Sequence, residues 1–284
     1  MSENKLIIGS RASKLALWQT HYVAETIKAR FHTEIEIVHI KTEGDKILDA
    51  PLSRIGGKGL FVKEIETALL EGKIDLAVHS MKDVPTELPK GLIIKAMTER
   101  ADPSDVLISK DNVKLKDLPV GSTIGTSSLR RQAQLLSIRP DFKIKDVRGN
   151  LDTRIRKMKE GQYDAMILAA AGLDRLEFSD VISERLPVDV MVSAVGQGSI
   201  GIEIREDDTK TAKYVSILND PDTFDCVTAE RALLKQLEGG CQVPIGALAR
   251  INDGMLDLVA IVASLDGKEV YTGNLSGAPL EAET

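Results

Sequence analysis

In Ile74-Asp-Leu-Ala-Val-His-Ser-Met-Lys-Asp-Val-Pro85, a short apolar run ending at Val78 passes directly into a polar loop. The run has the length of a buried strand. Just before it, residues 61–70 put Phe61, Ile65, Ala68 and Leu69 on one face of a helix. Toward the N-terminus the same grammar repeats. Residues 6–8 form an apolar run, residues 14–31 carry a helical stripe of Leu17, Tyr22, Val23 and Ile27, and residues 33–40 are rich in β-branched side chains. Short strands alternating with helices predict βα units and a mostly parallel sheet. In such sheets ligands sit beyond the carboxyl ends of the strands, which is where the loop at 79–85 falls.

Toward the C-terminus the pattern starts again. Residues 106–109, 122–124, 144–147 and 165–170 read as strands, and 128–138 and 151–160 as helices, so a second α/β unit is expected without a clean sequence repeat. After Asp220-Pro221 the texture changes. A helical pattern at 228–237 is followed by apolar stretches at 247–251, 256–263 and 270–273, with Asp253-Gly254 and Asp266-Gly267 as hairpin signals. This predicts a third, small α+β unit. Residues 42–58 are polar and glycine-bearing, and read as a loop or lid.

The 284 residues suffice for two or three domains, and 43% hydrophobic with 28% charged residues is ordinary for a soluble globular protein. No apolar run is long enough to span a membrane, and Met-Ser-Glu-Asn-Lys lacks the build of a secretory signal. Two cysteines make no disulfide framework, so the expected setting is cytoplasmic. A net charge of −6 argues against a nucleic-acid binder. Nothing in the pattern demands more than a monomer.

Positive charge is nonetheless concentrated at the predicted strand ends. Gly125-Thr-Ser-Ser-Leu-Arg-Arg131 opens a helix, where free N–H groups favour anions. Arg148, Arg154 and Arg175 follow later strands, and Arg11 and Ser13 follow the first. A planar guanidinium fork suits a carboxylate or phosphate. One such arginine alone would read as a solvated helix face; grouped at strand ends they indicate a polyanionic ligand. Asp83 would oppose that ligand, so it is better suited to facing a developing cation or exchanging a proton, unless it merely closes a turn. Cys241, in Glu238-Gly-Gly-Cys-Gln-Val-Pro244, is presented on a glycine turn after a helix; this is either an inert thiol or a functional one. Cys226 falls in a helical pattern and reads as packing.

Other motifs fail. Gly56-Gly-Lys-Gly59 lacks the spacing of a phosphate-binding loop, and Gly196-Gln-Gly-Ser-Ile-Gly201 opens no helix. The four histidines do not cluster with cysteines or acids at metal spacing, so no metal is expected.

Taken together, Ala16-Leu-Trp-Gln19, Gly56-Gly-Lys-Gly-Leu-Phe61, Ala77-Val-His-Ser-Met-Lys-Asp-Val-Pro85, Gly125-Thr-Ser-Ser-Leu-Arg-Arg131, Arg148-Gly-Asn150, Ala194-Val-Gly-Gln-Gly198 and Gly239-Gly-Cys-Gln-Val-Pro-Ile-Gly246 resemble the porphobilinogen deaminase (hydroxymethylbilane synthase) family. The resemblance implies two α/β lobes like those of periplasmic binding proteins, residues 1–98 with 195–217 and residues 99–194. It adds a small α+β domain with an antiparallel sheet at 218–284, cut short at Thr284. It implies a transferase that joins four porphobilinogen molecules head to tail into hydroxymethylbilane with release of ammonia. The chain would be primed by a dipyrromethane cofactor held through a thioether to Cys241. Lys82, Asp83, Ser128, Arg130 and Arg131 would bind that cofactor, and Arg11, Ser13, Gln19, Arg148, Arg154 and Arg175 the substrate and growing chain. Asp83 would be the catalytic group, stabilising the transient pyrrole cation, with Asp45 and Lys58 in a lid. Ser199 departs from the family's alanine, a small change. A non-catalytic anion-binding protein explains the arginines but leaves Cys241 and Asp83 idle. A thiol hydrolase lacks a histidine partner for Cys241.

Overall fold

The computed structural model describes residues 5–46, 59–237 and 243–279. In chain order the elements are β1 (Lys5–Ser10), α1 (Lys14–Phe31), β2 (Glu34–His39), α2 (Glu43–Lys46), α3 (Lys63–Leu70), β3 (Leu76–Ser80), β4 (Leu92–Met97), β5 (Asp105–Ser109), β6 (Thr123–Gly125), α4 (Leu129–Ile138), β7 (Lys143–Lys145), α5 (Leu151–Lys159), β8 (Ala165–Ala169), α6 (Ala170–Arg175), β9 (Glu184–Leu186), β10 (Ile200–Arg205), α7 (Thr209–Val215), α8 (Pro221–Gln236), β11 (Ile245–Asn252), β12 (Met255–Ala263) and β13 (Val270–Gly277). The described part of one compact unit is 5–46, 59–100 and 199–225, and of the other 101–198, 226–237 and 243–279.

The first unit is built on a five-stranded sheet of order β2-β1-β3-β10-β4. β1 runs parallel to β2 and β3, whereas β10 is antiparallel to both β3 and β4. Four strands therefore run one way, and the reversed β10 is inserted between β3 and β4. The mostly parallel sheet expected from the sequence is present, with this one exception. β10 enters from a chain segment more than a hundred residues further on, so no local crossover dictates its direction. One face of the sheet buries Leu6, Ile8, Leu76, Val78, Ile202 and Ile204 against Val23 and Ile27 of α1. The other buries Ile74 and Ala77 against Ile65 and Leu69 of α3. Each such aliphatic side chain contributes about 1.5–3 kcal/mol. Ser13 caps α1 by accepting from the Ala16 N–H at 3.3 Å, and His32 ends the helix in the left-handed region at φ 51°.

In the second unit the sheet order is β7-β6-β8-β5-β9, with β6 parallel to β7 and β8, and β5 antiparallel to β8 and β9. This matches the first sheet strand for strand, a repeat of topology that leaves no repeat of sequence. The same unit contains the antiparallel meander β11-β12-β13. Ala247, Ala249, Leu256 and Leu258 of the meander pack on Cys226 and Ala229 of α8, the packing role expected for Cys226. Both hairpin glycines have positive φ, 79° at Gly254 and 70° at Gly267.

Several boundaries differ from the sequence expectations. Ala170 opens α6 and does not end a strand, the strand expected at 144–147 is Lys143–Lys145, and Ser128 is a cap and not a helical residue. Element ends are decided by capping bonds, which periodicity does not register. The lid region begins with one helical turn at α2, and the remainder of that expectation, including Gly56 and Lys58, lies outside the described residues. So does the turn that carries Cys241. Among the described residues no helix is long and apolar enough to cross a membrane.

Candidate active site

In the first unit β1 and β3 are parallel neighbours, so the segments after Ser10 and Ser80 emerge side by side. Ser10 is buried and accepts a hydrogen bond from Thr20 Oγ1 of α1 at 2.7 Å, which fixes where the chain leaves the strand. Arg11 follows. Its Nη2 donates to Asp45 Oδ1 at 2.6 Å and its Nε to the same carboxylate at 3.2–3.3 Å, while its guanidinium lies 4.2 Å over the Phe61 ring. Asp45 also accepts from the Thr42 hydroxyl and N–H at 2.8 and 3.3 Å. Burial alone would raise the Asp45 carboxyl, but the bonds from Arg11 and Thr42 outweigh it and hold the group below its usual range. Gly44 is required here, because a Cβ on it would stand 2.2 Å from the Phe61 ring.

Gln19, buried on α1, donates to Ser80 Oγ at 2.9 Å, and the Ser80 hydroxyl lies 3.2 Å from Gln19 Oε1. Past Ser80 a single 3-10 turn, Met81–Asp83, anchors Met81 in the core and leaves Asp83 exposed, with Lys82 half-buried beside it. Arg11, Ser13, Gln19, Phe61, Ser80 and Asp83 all line one concavity. All six were singled out or fall within quoted motifs. For Ser80, quoted without a role, the structure adds the contact with Gln19.

In the second unit β7, β6 and β8 are parallel neighbours, so the residues after them share one edge of that sheet. Ser128 caps α4 there, accepting from the Arg131 N–H. Both arginines of α4 are buried. Arg130 Nη1 donates to Asp105 Oδ2 at 2.7 Å and to the Val192 carbonyl at 2.5 Å. Arg131 donates to Asp105 Oδ1 through Nε and Nη2 at 3.0 and 2.7 Å, and to the Ile167 carbonyl at 3.0 Å. Gln197 Nε2 reaches the same Asp105 oxygen at 2.9 Å. Burial works against ionisation of Asp105, but the two guanidinium groups overcome it and hold its carboxyl far below the usual carboxylate range. Burial lowers Arg130. One carboxylate against two guanidinium groups leaves this cluster one positive charge in excess, which suits an anionic ligand.

Arg148 follows β7. Its Nε and Nη2 are buried and have no hydrogen-bond partner in the structure, and buried guanidinium donors are costly unless an acceptor reaches them. Ser127 Oγ ties this segment down, donating to the Val147 carbonyl and accepting its N–H. Gly149, at φ 108°, leads into Asn150, which caps α5 by accepting from Thr153 N at 3.1 Å. Arg154 Nε donates to the Gly149 carbonyl, and Arg175 Nη2 to the Gly198 carbonyl. Asp105 was not found from the sequence, and Gln197 fell within the quoted Ala194–Gly198 stretch without being given a role. An acid at the start of an apolar strand has no local signature, and its partners lie 25 and 92 positions away. Among the described residues no group of three or more His, Cys, Asp or Glu side chains is arranged to hold a metal ion.

A family model described as "Porphobilinogen deaminase, dipyromethane cofactor binding domain" matches residues 6–213, and one for the C-terminal domain of the same family matches 224–284. A porphobilinogen deaminase of Trichlorobacter lovleyi is 54% identical over 283 residues, covering 99% of this chain and 90% of its own. Those of Chlorobium chlorochromatii and Geobacillus kaustophilus are 57% and 56% identical, covering 96% and 98% of this chain and 88% and 90% of theirs. A solved periplasmic aliphatic sulphonate binding protein from Escherichia coli is 14% identical with a TM-score of 0.45, over 84% of this chain and 71% of that one.

Proposed function

The chain belongs to the porphobilinogen deaminase family, transferases that join four porphobilinogen molecules head to tail into hydroxymethylbilane with release of ammonia, and from that premise we propose which of its residues do the work. The dipyrromethane cofactor, attached through Cys241, supplies the pyrrole to which the first substrate unit is joined. The excess positive charge at Asp105–Arg130–Arg131 and the unpartnered donors of Arg148 fit a group rich in carboxylates. Ser128, Arg130, Arg131 and Lys82 hold the cofactor's acetates and propionates. Arg148, Arg154 and Arg175 hold those of the substrate and growing chain. In the first unit Arg11, Ser13 and Gln19 orient the incoming porphobilinogen. Arg11 is pre-set for this by Asp45 and the Phe61 face, which fix the position and orientation of its guanidinium.

Asp83 is the catalytic residue. Loss of ammonia from the substrate's aminomethyl group leaves a cation, and a carboxylate already in position stabilises it without reorganising. The same carboxylate takes the proton released when the new carbon–carbon bond forms. The observation that carries this reading is the shared concavity of Asp83 with Arg11, Ser13 and Gln19. Three separate sheets support the division into domains at 1–98 with 195–217, 99–194 and 218–284. The proposal also makes the enzyme a cytoplasmic monomer that acts on a small molecule and no nucleic acid, which a net charge of −6 favours.

Two measurements test it. Asp83→Asn should retain the melting temperature and the covalent adduct while turnover falls by roughly 100-fold or more; near-normal turnover removes Asp83 from the mechanism. The intact mass of the purified protein should include two pyrrole units, and Cys241→Ser should lack them. An unmodified, fully active wild type refutes the attachment.

A further inference from the structure

Beneath the concavity of the first unit lies a buried group of ionisable side chains that the chemistry above does not use. The antiparallel register of β3 and β10 sets Gly201 opposite His79 and Glu203 opposite Ala77, so His79 and Glu203 are diagonal neighbours. The His79 Nε2 and Glu203 Oε2 atoms are 2.9 Å apart, and the other Glu203 oxygen has no hydrogen-bond partner. Glu66 comes from α3, whose Ile65 and Leu69 pack on Ala77. All three side chains belong to residues no more than 7% exposed, and His79 lines the same concavity as Asp83.

We propose that Glu66 and Glu203 form an anionic floor under this concavity, joined to it by His79, which stabilises the cation formed beside Asp83. Fixed charges in a water-poor interior act over longer distances than they do in solvent. The other charges near Glu66 do not cancel the floor. Arg205 of β10 is engaged by the Leu69 and Ile74 carbonyls and by Asp208, and Arg11 by Asp45. Lys63 of α3 and Lys95 of β4 are exposed, and the only charged residue of β1, Lys5, pairs with Glu36. Burial, and then the charge of Glu203, push Glu66 up to about 7, with His79 opposing. The floor therefore gains negative charge as pH rises through neutrality.

This inference rests on Asp83 being where the cation forms, and the experiment separates the two. The kcat of the holoenzyme should fall roughly tenfold on the acid side of a limb near pH 7, where the floor loses one unit of negative charge. Glu66→Gln should remove the limb and hold kcat at the acid-side level, with KM for porphobilinogen unchanged. Glu203→Gln should move the limb to lower pH, a shift that loss of packing would not produce. Infrared spectra, read without turnover, should show a protonated carboxyl titrating near neutrality that is missing from Glu66→Gln. A limb retained in Glu66→Gln, or an infrared band unchanged by that substitution, overturns the inference. Normal turnover in Asp83→Asn would instead refute the placement of the cation.

Discussion

Replacing Glu66 by Gln should make the protein more stable at neutral and alkaline pH and leave it unchanged in acid. The side chain is buried on α3, and its carboxyl is raised from 4.5 to about 7 by burial and by the charge of Glu203. Between those two values the folded state binds a proton that the unfolded chain has released, so stability is greatest below 4.5 and is lost as pH rises through 7. At about 1.4 kcal/mol per pH unit, the interval amounts to at most about 3.5 kcal/mol. Protonated glutamate and glutamine are nearly isosteric, and the amide never ionises. Urea unfolding of both proteins at pH 5, 6, 7 and 8 gives the difference directly, and other titrating groups cancel in it. The difference should be below about 1 kcal/mol at pH 5 and grow in favour of Glu66→Gln until it levels off above pH 7. A difference constant with pH, or one favouring the wild type at pH 8, refutes the reasoning.

Three further outcomes can be checked by the same unfolding measurements. Asp105→Asn leaves Arg130 and Arg131 buried without their carboxylate and should cost about 3–5 kcal/mol, whereas a cost below about 1 kcal/mol would mean the cluster is held by its carbonyl bonds alone. Ser199→Ala should stabilise by about 1 kcal/mol, because the Ser199 hydroxyl is buried without a hydrogen-bond partner; a loss of stability would reveal a bond the structure does not contain. Gly267→Ala would bring a Cβ to 2.5 Å from Ser137 N and 2.6 Å from the Ala133 carbonyl, at φ 70°. Its cost should exceed that of Gly254→Ala, at φ 79° with no atom within 4 Å, by about 1 kcal/mol or more. Equal costs would remove the close approach of the β12–β13 turn to α4.

Most of the described strands and helices, such as β1, α1, β2, α3, β5, α4, α5, β8 and the β11–β13 meander, were legible in the residue spacing, whereas β4, α6, β9 and α7 were not. The reason is that each element buries one face, and burial imposes a spacing on its own residues. Strand ends were legible to within a few residues, close enough for Arg11, Asp83, Ser128, Arg148 and Arg175 to be singled out before any coordinates. Motif identity added the family, and with it the chemistry assigned to Asp83 and Cys241. Tertiary structure alone decided the insertion of β10 between β3 and β4, because strand order is a matter of long-range pairing and leaves no mark on local spacing. It alone brought Asp105 to both arginines of α4, Asp45 to Arg11, and Glu203 to His79. Each of those pairs joins residues 25 or more positions apart. A charge acts through space and not along the chain, so partners of this kind become visible only once the sheets have formed.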